Sequence, residues 1–270
     1  MATSHSDATP FGDGSEHDLY LSPHYDDTCF SLGSFASRRR AGAAITFFSN
    51  CAFVVPHNLA EVPPHAGTFD YFYLVKVSAV RRAEDLAFTR SVGLRQVVAG
   101  LDEAPVRGRH PFANADTNSV EDAALFNDKV MSAISVAGGA RPSDVRPWLY
   151  CPMAIGGHVD HLIILRIVLR NCAALAEAYR VAFYEDLYYA SSLEAREAGL
   201  VKFRRLAGPL GAKRFALPID DVGRKLDLIG LYASQIAAKP ANIDSFTPAV
   251  GSIAPPHEAI WTAEPHGSSR

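Results

Sequence analysis

Two short turns rich in histidine and aspartate hold the side chains best suited to chemistry. The first is His24-Tyr25-Asp26-Asp27-Thr28, which follows the apolar run Leu19–Ser22 and Pro23. The second is His158-Val159-Asp160-His161, which follows the apolar run Trp148–Pro152 and a Gly156-Gly157 pair. Each reads as a buried strand that stops and hands over to a helix. In open α/β folds that junction lies at the carboxyl edge of the sheet, where ligands bind. Imidazoles and carboxylates gathered there are costly to bury without a partner, and a divalent metal is the obvious one. His158 and His161 stand three apart and share one face of a first helical turn. Together the turns can supply His24, Asp27 and His161 as metal ligands, with a fourth position left for water. That open arrangement is the catalytic type of zinc site. Alone, the first turn has a plainer reading, with Asp27 capping a helix and His24 solvated.

The elements that position these turns follow from periodicity and breakers. Residues 28–41 form a helix that ends in Arg38-Arg39-Arg40, cations that complement the dipole of a last turn. A strand over 44–48 leads into a long irregular loop, 49–77, with the aromatics Phe69, Tyr71, Phe72 and Tyr73. A helix over 78–92 and a strand over 94–99 come next. A second loop, 102–118, carries Arg107, Arg109 and His110, and a helix over 119–136 precedes the second motif. Beyond it lie helix 162–175, strand Arg180–Tyr184, helix 193–206, strand 214–217 and helix 220–237. Residues 239–270 contain five prolines and no period, and are expected to wrap over the body with His257 and Trp261 as anchors. Strands alternating with helices predict an α/β fold, a Rossmann-like three-layer sandwich with a mostly parallel sheet. No Gly-x-Gly-x-x-Gly follows the first strand, so the fold alone does not argue for a dinucleotide. The expected organisation is one domain over 18–262, a disordered tail over 1–17 and a short tail over 263–270.

Composition narrows the function classes. A chain of 270 residues with 48% hydrophobic and 20% charged residues can bury a sizeable core. A net charge of −3 gives no footprint for nucleic acid or an anionic membrane. Four cysteines without Cys-x-x-Cys spacing fit buried thiols in a reducing compartment, and so a cytoplasmic location. Residues 1–16 are polar and lack the apolar stretch of a secretory signal, and no run is long enough to cross a bilayer. A homo-oligomer is compatible with all of this.

The two motifs, in this order, resemble those of the PIG-L/LmbE-like zinc deacetylases. That family has a His-Pro-Asp-Asp-Glu type motif after its first strand and a His-Pro-Asp-His type motif opening a later helix. Further likeness lies in Arg81-Arg82-Ala83-Glu84-Asp85 with Val92-Gly93, in Phe183-Tyr184-Glu185-Asp186-Leu187, and in Tyr232-Ala233-Ser234-Gln235. The departures are Tyr25 for the usual proline and Thr28 for the frequent glutamate. The resemblance implies one Zn2+ per chain on His24, Asp27 and His161. Asp26 would then be the general base and later the acid. His158 would stabilise the tetrahedral oxyanion, with Asp160 holding its tautomer. Arg81, Tyr25 and Arg107 are the expected substrate contacts, and the loops 49–77 and 102–118 the cleft walls. The implied partner is a small N-acylated amino sugar of the N-acetylglucosamine type, by analogy an aminoglycoside or other natural-product intermediate. A mycothiol-type thiol-conjugate amidase is the alternative, and a non-catalytic metal-binding protein the third reading.

Overall fold

The chain alternates strand and helix through most of its length: β1 (Leu19–Ser22), α1 (Asp27–Arg39), β2 (Ala43–Asn50), α2 (Tyr71–Val92), β3 (Arg95–Asp102), α3 (Ala115–Gly138), β4 (Trp148–Pro152), α4 (Val159–Arg170), α5 (Cys172–Ala178), β5 (Arg180–Tyr184), α6 (Leu193–Ala207), β6 (Gly211–Pro218), α7 (Val222–Ile229) and β7 (His257–Glu264). The computed structural model describes residues 10–54, 70–140, 142, 144–208, 211–236, 238–250 and 254–264. Phe69 lies outside the described residues.

Among the described residues, seven strands make one sheet in the order β3-β2-β1-β4-β5-β7-β6. All are parallel except β7, which runs antiparallel to both β5 and β6. Side chains alternate between two cores, one on each face. Leu19, Leu21, Leu149, Cys151, Val181 and Phe183 point to the face covered by α3, α4 and α6. Tyr20, Tyr150, Ala182 and Tyr184 point to the face covered by α1, α2 and α7. The result is the expected mostly parallel three-layer sandwich. Its chain order reverses between β1 and β4, and the crevice beyond their carboxyl ends is where such sheets place ligands. Both motifs leave the sheet at that point.

Helix α1, which carries Asp27, is spliced by an ion pair. Its backbone leaves helical geometry at Leu32 (φ −133°, ψ 15°). Lys225 Nζ donates to the carbonyls of Cys29 and Phe30, at 2.8 and 2.9 Å. The Glu258 carboxylate accepts from the backbone N–H groups of Ser34 and Phe35, at 2.8 and 2.7 Å. Lys225 and Glu258 also pair with each other and are fully buried. The carbonyls and amides freed by the kink are thus bonded by side chains, one of the recognised causes of a helix bend.

Several sequence expectations are corrected. Residues 71–77 are helical rather than loop, because the Asp70 side chain caps α2 by accepting from Phe72 N–H at 3.3 Å. The expected helix 162–175 is two helices divided at Asn171. The helix expected over 220–237 stops at Ile229, and Tyr232 then turns into the core. The irregular tail instead contains β7, inserted between β5 and β6. Residues 10–17, assigned to the N-terminal tail, include Phe11, which is buried against Phe35 and Trp148 with ring centroids 5.4 and 5.0 Å away. Arg39 holds that segment through the Phe11 and Gly12 carbonyls and pairs with Asp18 at 2.6 Å. Within the arginine triplet, Arg39 therefore serves packing.

Candidate metal centre and its cavity

The turn after β1 folds back on itself, with His24 N–H donating to Asp27 Oδ2 at 2.6 Å. The turn after β4 needs glycine at 156, where φ is +91° and a Cβ would stand 2.4 Å from the Tyr189 ring. His158 then caps α4, its Nδ1 accepting from the Asp160 N–H at 3.1 Å. This packing brings His24, Asp27 and His161 together, with one ligand atom from each within 4.8 Å of the others.

Hydrogen bonds decide which nitrogen each histidine offers. His24 Nε2 lies 3.0 Å from Asp160 Oδ2, and His161 Nδ1 lies 2.7 Å from Asp186 Oδ1. Each of those nitrogens therefore carries its proton toward a carboxylate. The opposite nitrogens, His24 Nδ1 and His161 Nε2, each face an oxygen of Asp27 at 3.4 Å. Two ligands held about 2.0–2.1 Å from a tetrahedral ion lie about 3.3 Å apart. The donor set thus fits a divalent cation in both chemistry and spacing, and its histidines are oriented by carboxylates as metal-binding histidines generally are.

The charges are interdependent. Burial alone would lower the His24 pKa, but hydrogen bonds to Asp160 and Asp27 outweigh it and raise it to about 10. Burial would raise the Asp27 carboxyl, yet the charges and hydrogen bonds of His161 and His24 hold it well below the usual carboxylate range. His158 is different. Burial and the neighbouring His24 push its pKa far down, so it stays a neutral imidazole. Since its Nδ1 accepts from α4, its proton sits on Nε2. A second ligand-like group, His24, His158 and Asp160, also lies within 4.8 Å. It suits a cation poorly, because His158 Nδ1 is taken by the cap and His24 Nε2 donates to Asp160.

Around the metal group lies a cavity of about 220 Å³ lined by His24, Asp26, Asp27, His158, His161, Arg81 and Glu103, with Phe30, Phe53, Pro105, Pro111, Phe112, Leu187, Tyr188, Tyr189 and Gln235. Asp26 sits on its wall, and Arg81 Nη2 donates to Asp26 Oδ1 at 3.0 Å. Arg81 Nη1 donates to Glu103 Oε2 at 3.2 Å, and Glu103 in turn accepts from the N–H groups of Ala52 and Phe53.

The other expected site residues divide. Arg81 lines the cavity, but its guanidinium is buried between Asp26 and Glu103. Asp160 bonds His158 only through its backbone N–H; its carboxylate holds His24 and accepts from Arg107 at 2.7 Å and Ala104 N–H at 3.0 Å. Arg107 is not among the cavity's lining residues; it stands behind Asp160, stacked over Phe48 and Phe126 at 4.9 and 5.4 Å. Arg109 pairs with Glu121 and Asp122. Tyr25 is 1% exposed and packs in the core. Tyr71 and Phe72 are exposed on the first turn of α2 and do not line the cavity. The ring-bearing walls come instead from Phe53, Phe112 and the Tyr188-Tyr189 pair. Sequence reasoning assigned no role to Asp186 or Glu103. Glu103 directly follows β3 and Asp186 stands two residues past β5, both at the ligand edge, and that placement is the signal that could have found them.

The chain matches no protein-family model. It is 30% identical over 199 residues to the 2'-N-acetylparomamine deacetylase of Streptomyces fradiae, a match spanning 68% of this chain and 64% of that protein. Among solved structures, a deacetylase–teicoplanin complex from the teicoplanin biosynthesis pathway superimposes with a TM-score of 0.56 at 16% identity, covering 90% of this chain and 96% of that one. The zinc-inhibited form of teicoplanin deacetylase gives 0.55 at 17% identity over the same shares. At these identities the structural likeness establishes a common fold.

Proposed function

We propose that this chain is a zinc-dependent N-deacetylase of the PIG-L/LmbE type, acting on an N-acetylated amino sugar within a natural product such as an aminoglycoside. The observation that carries the reading is Asp27, whose two oxygens lie 3.4 Å from His24 Nδ1 and His161 Nε2 inside a cavity that also holds an acid–base candidate. That the similar Streptomyces fradiae protein is a 2'-N-acetylparomamine deacetylase supports the substrate class.

When bound, zinc on His24, Asp27 and His161 would polarise an acyl oxygen and acidify water toward a pKa of about 7. Asp26 takes the proton from the attacking water and returns it to the departing amine. Arg81 fixes one Asp26 oxygen at 3.0 Å and leaves the other for that proton. His158, neutral and protonated on Nε2, donates to the acyl oxygen as negative charge develops. The Asp26 side chain is 14% exposed, enough for water to reach it. Four free cysteines, three of them buried, support a reducing compartment such as the cytoplasm. Among the described residues no helix is long and apolar enough to cross a membrane.

The test is acetate release by zinc-loaded protein. An N-acetylated amino sugar should be hydrolysed with a far higher kcat/KM than simple acetamide or an acetyl-lysine peptide, and a chelator should abolish the reaction. Equal kcat/KM for all three substrates would defeat the sugar reading. Release of a free amino sugar together with a thioether-bearing N-acylcysteine, from thiol conjugates only, would favour the amidase alternative.

A further inference from the structure

The turn that carries His24, Asp26 and Asp27 is held carbonyl by carbonyl. Pro23 O accepts from the Phe48 N–H at 2.9 Å, His24 O from the Ser22 hydroxyl at 2.6 Å, and Asp26 O from the Phe30 N–H at 2.9 Å. The Tyr25 carbonyl accepts from the Tyr232 hydroxyl at 3.1 Å. Tyr232 comes from beyond α7, is fully buried, and packs on Phe30 and Phe88 with ring centroids 5.6 and 6.2 Å away. Neither Tyr232 nor its neighbour Asp85 lines the metal cavity.

The same hydroxyl lies 3.1 Å from Asp85 Oδ1. A phenol has one proton, and a carbonyl can only accept. When Tyr232 gives its proton to Tyr25, its contact with Asp85 is a hydrogen bond only if Asp85 Oδ1 is protonated and donates. The other Asp85 oxygen is engaged, accepting from the Gln96 side-chain amide at 2.7 Å. Burial favours this neutral acid and pushes its pKa up to about 7, against the hydrogen bonds of Gln96 and Tyr232. Around it stand Thr46 on β2, the Cys29 thiol on α1 and the Tyr25 phenol, and the Asp26 carboxylate further opposes its ionisation. On its own helix, Arg81 is taken by Asp26 and Glu103, and Glu84 by Ser234. Once Asp85 ionises, a charged acceptor competes for the single phenol proton and outdoes the neutral carbonyl. The Tyr25 carbonyl is then left unpaired in the core.

We infer that Tyr232 and Asp85 are positioning residues for the metal centre: the neutral Asp85 carboxyl donates to Tyr232, Tyr232 donates to the Tyr25 carbonyl, and this relay holds His24, Asp26 and Asp27 in place. The inference rests on the metal-centre reading. It also has a sign that charge alone does not give. A new anion near a cation strengthens cation binding through space, whereas breaking the relay weakens it.

The experiment measures zinc dissociation constants by chelator competition between about pH 5.5 and 8.5, for the parent, Asp85→Asn, Tyr232→Phe and the double variant. Asparagine keeps the neutral pattern at every pH, its NH2 donating to Tyr232 and its oxygen accepting from Gln96. Comparing proteins at one pH removes the protonation of the ligands common to all four. Parent and Asp85→Asn are expected to match below about pH 6. Above about pH 8 the parent is expected to bind zinc about tenfold more weakly, the scale of partners that orient ligands without touching the metal. Tyr232→Phe keeps the ring and cuts the relay, so it is expected to bind weakly at every pH and to gain nothing from Asp85→Asn. Parent and Asp85→Asn matching at every pH overturns this inference alone. So does tighter binding by the parent at high pH, or a gain from Asp85→Asn that survives in Tyr232→Phe. Zinc bound by none of the four overturns the metal-centre reading as well.

Discussion

Replacing Asp186 with asparagine should weaken metal binding without touching a ligand. The Asp186 carboxylate serves two donors, His161 Nδ1 at 2.7 Å and the Ile155 N–H at 2.9 Å. Asparagine has only one acceptor oxygen. The backbone amide of Ile155 cannot move, so the new oxygen stays with it and the amide NH2 faces His161. Two donors cannot face each other, and the imidazole relieves the clash by moving its proton to Nε2. That nitrogen is the one that faces Asp27 at 3.4 Å and would hold the cation. Each cation must now displace a proton from its own ligand, and a mispaired buried group costs about 1–3 kcal/mol. At about 1.4 kcal/mol per tenfold, zinc affinity is expected to fall roughly 10–100-fold, the range found when such partners are removed. Competition with a chromogenic chelator measures the dissociation constant, and kcat at saturating zinc separates weak binding from damaged chemistry. A zinc affinity within twofold of the parent would refute the orienting role and the tautomer assignment together.

Three further perturbations read other parts of the molecule. Asp26→Asn keeps size and should retain zinc while turnover falls about 10²–10⁴-fold; Asp27→Ala should lose both, and metal analysis beside kcat tells them apart. Asp85, sealed under Tyr232 and Gln96, has its carboxyl pushed up by burial to about 7, which its hydrogen bonds only partly oppose. The folded state therefore keeps a proton that the unfolded chain releases above about pH 4. Stability should fall as pH rises from about 4 to 7 and stay level beyond. Asp85→Asn should remove that slope and stabilise the protein at pH 8 by up to about 4 kcal/mol, as urea unfolding at pH 5 and 8 will show; an unchanged slope counts against it. Lys225→Met strands the Glu258 carboxylate in the core and should cost about 3–5 kcal/mol, with part recovered in Lys225→Met/Glu258→Gln; a single variant as stable as the parent would mean the splice carries little.

The two motifs are legible in the sequence because metal chemistry demands particular residue types at close spacing, each just past an apolar strand. The ligands meet where the strand order reverses, between β1 and β4. What stays hidden is hidden for physical reasons. Asp186 and Glu103 each adjoin another acid, Glu185 and Asp102, just past a strand, and no histidine nearby in the sequence marks them as site residues. Arg107 reads as a free donor in a loop, and only the folded chain shows it behind Asp160. Helix α2 begins at an aspartate cap amid aromatics that look like loop. Strand β7 is covered on both faces at Ala259 and Ile260, so it lacks the alternation that marks a half-buried strand. Tyr25 stands where the resemblance has proline, and its ring goes into the core.

The splice in α1 bears on when the site can form during synthesis. Glu258 lies on the last strand, more than two hundred residues after the amides of Ser34 and Phe35 that it satisfies. Until β7 slots between β5 and β6, those amides and the Lys225 ammonium have no such partner, and α1 cannot settle in its kinked form. The helix that presents Asp27 is made long before the strand that completes it. A nascent chain would hold all three ligands long before it could hold them in place, so metal capture waits for β7 to dock.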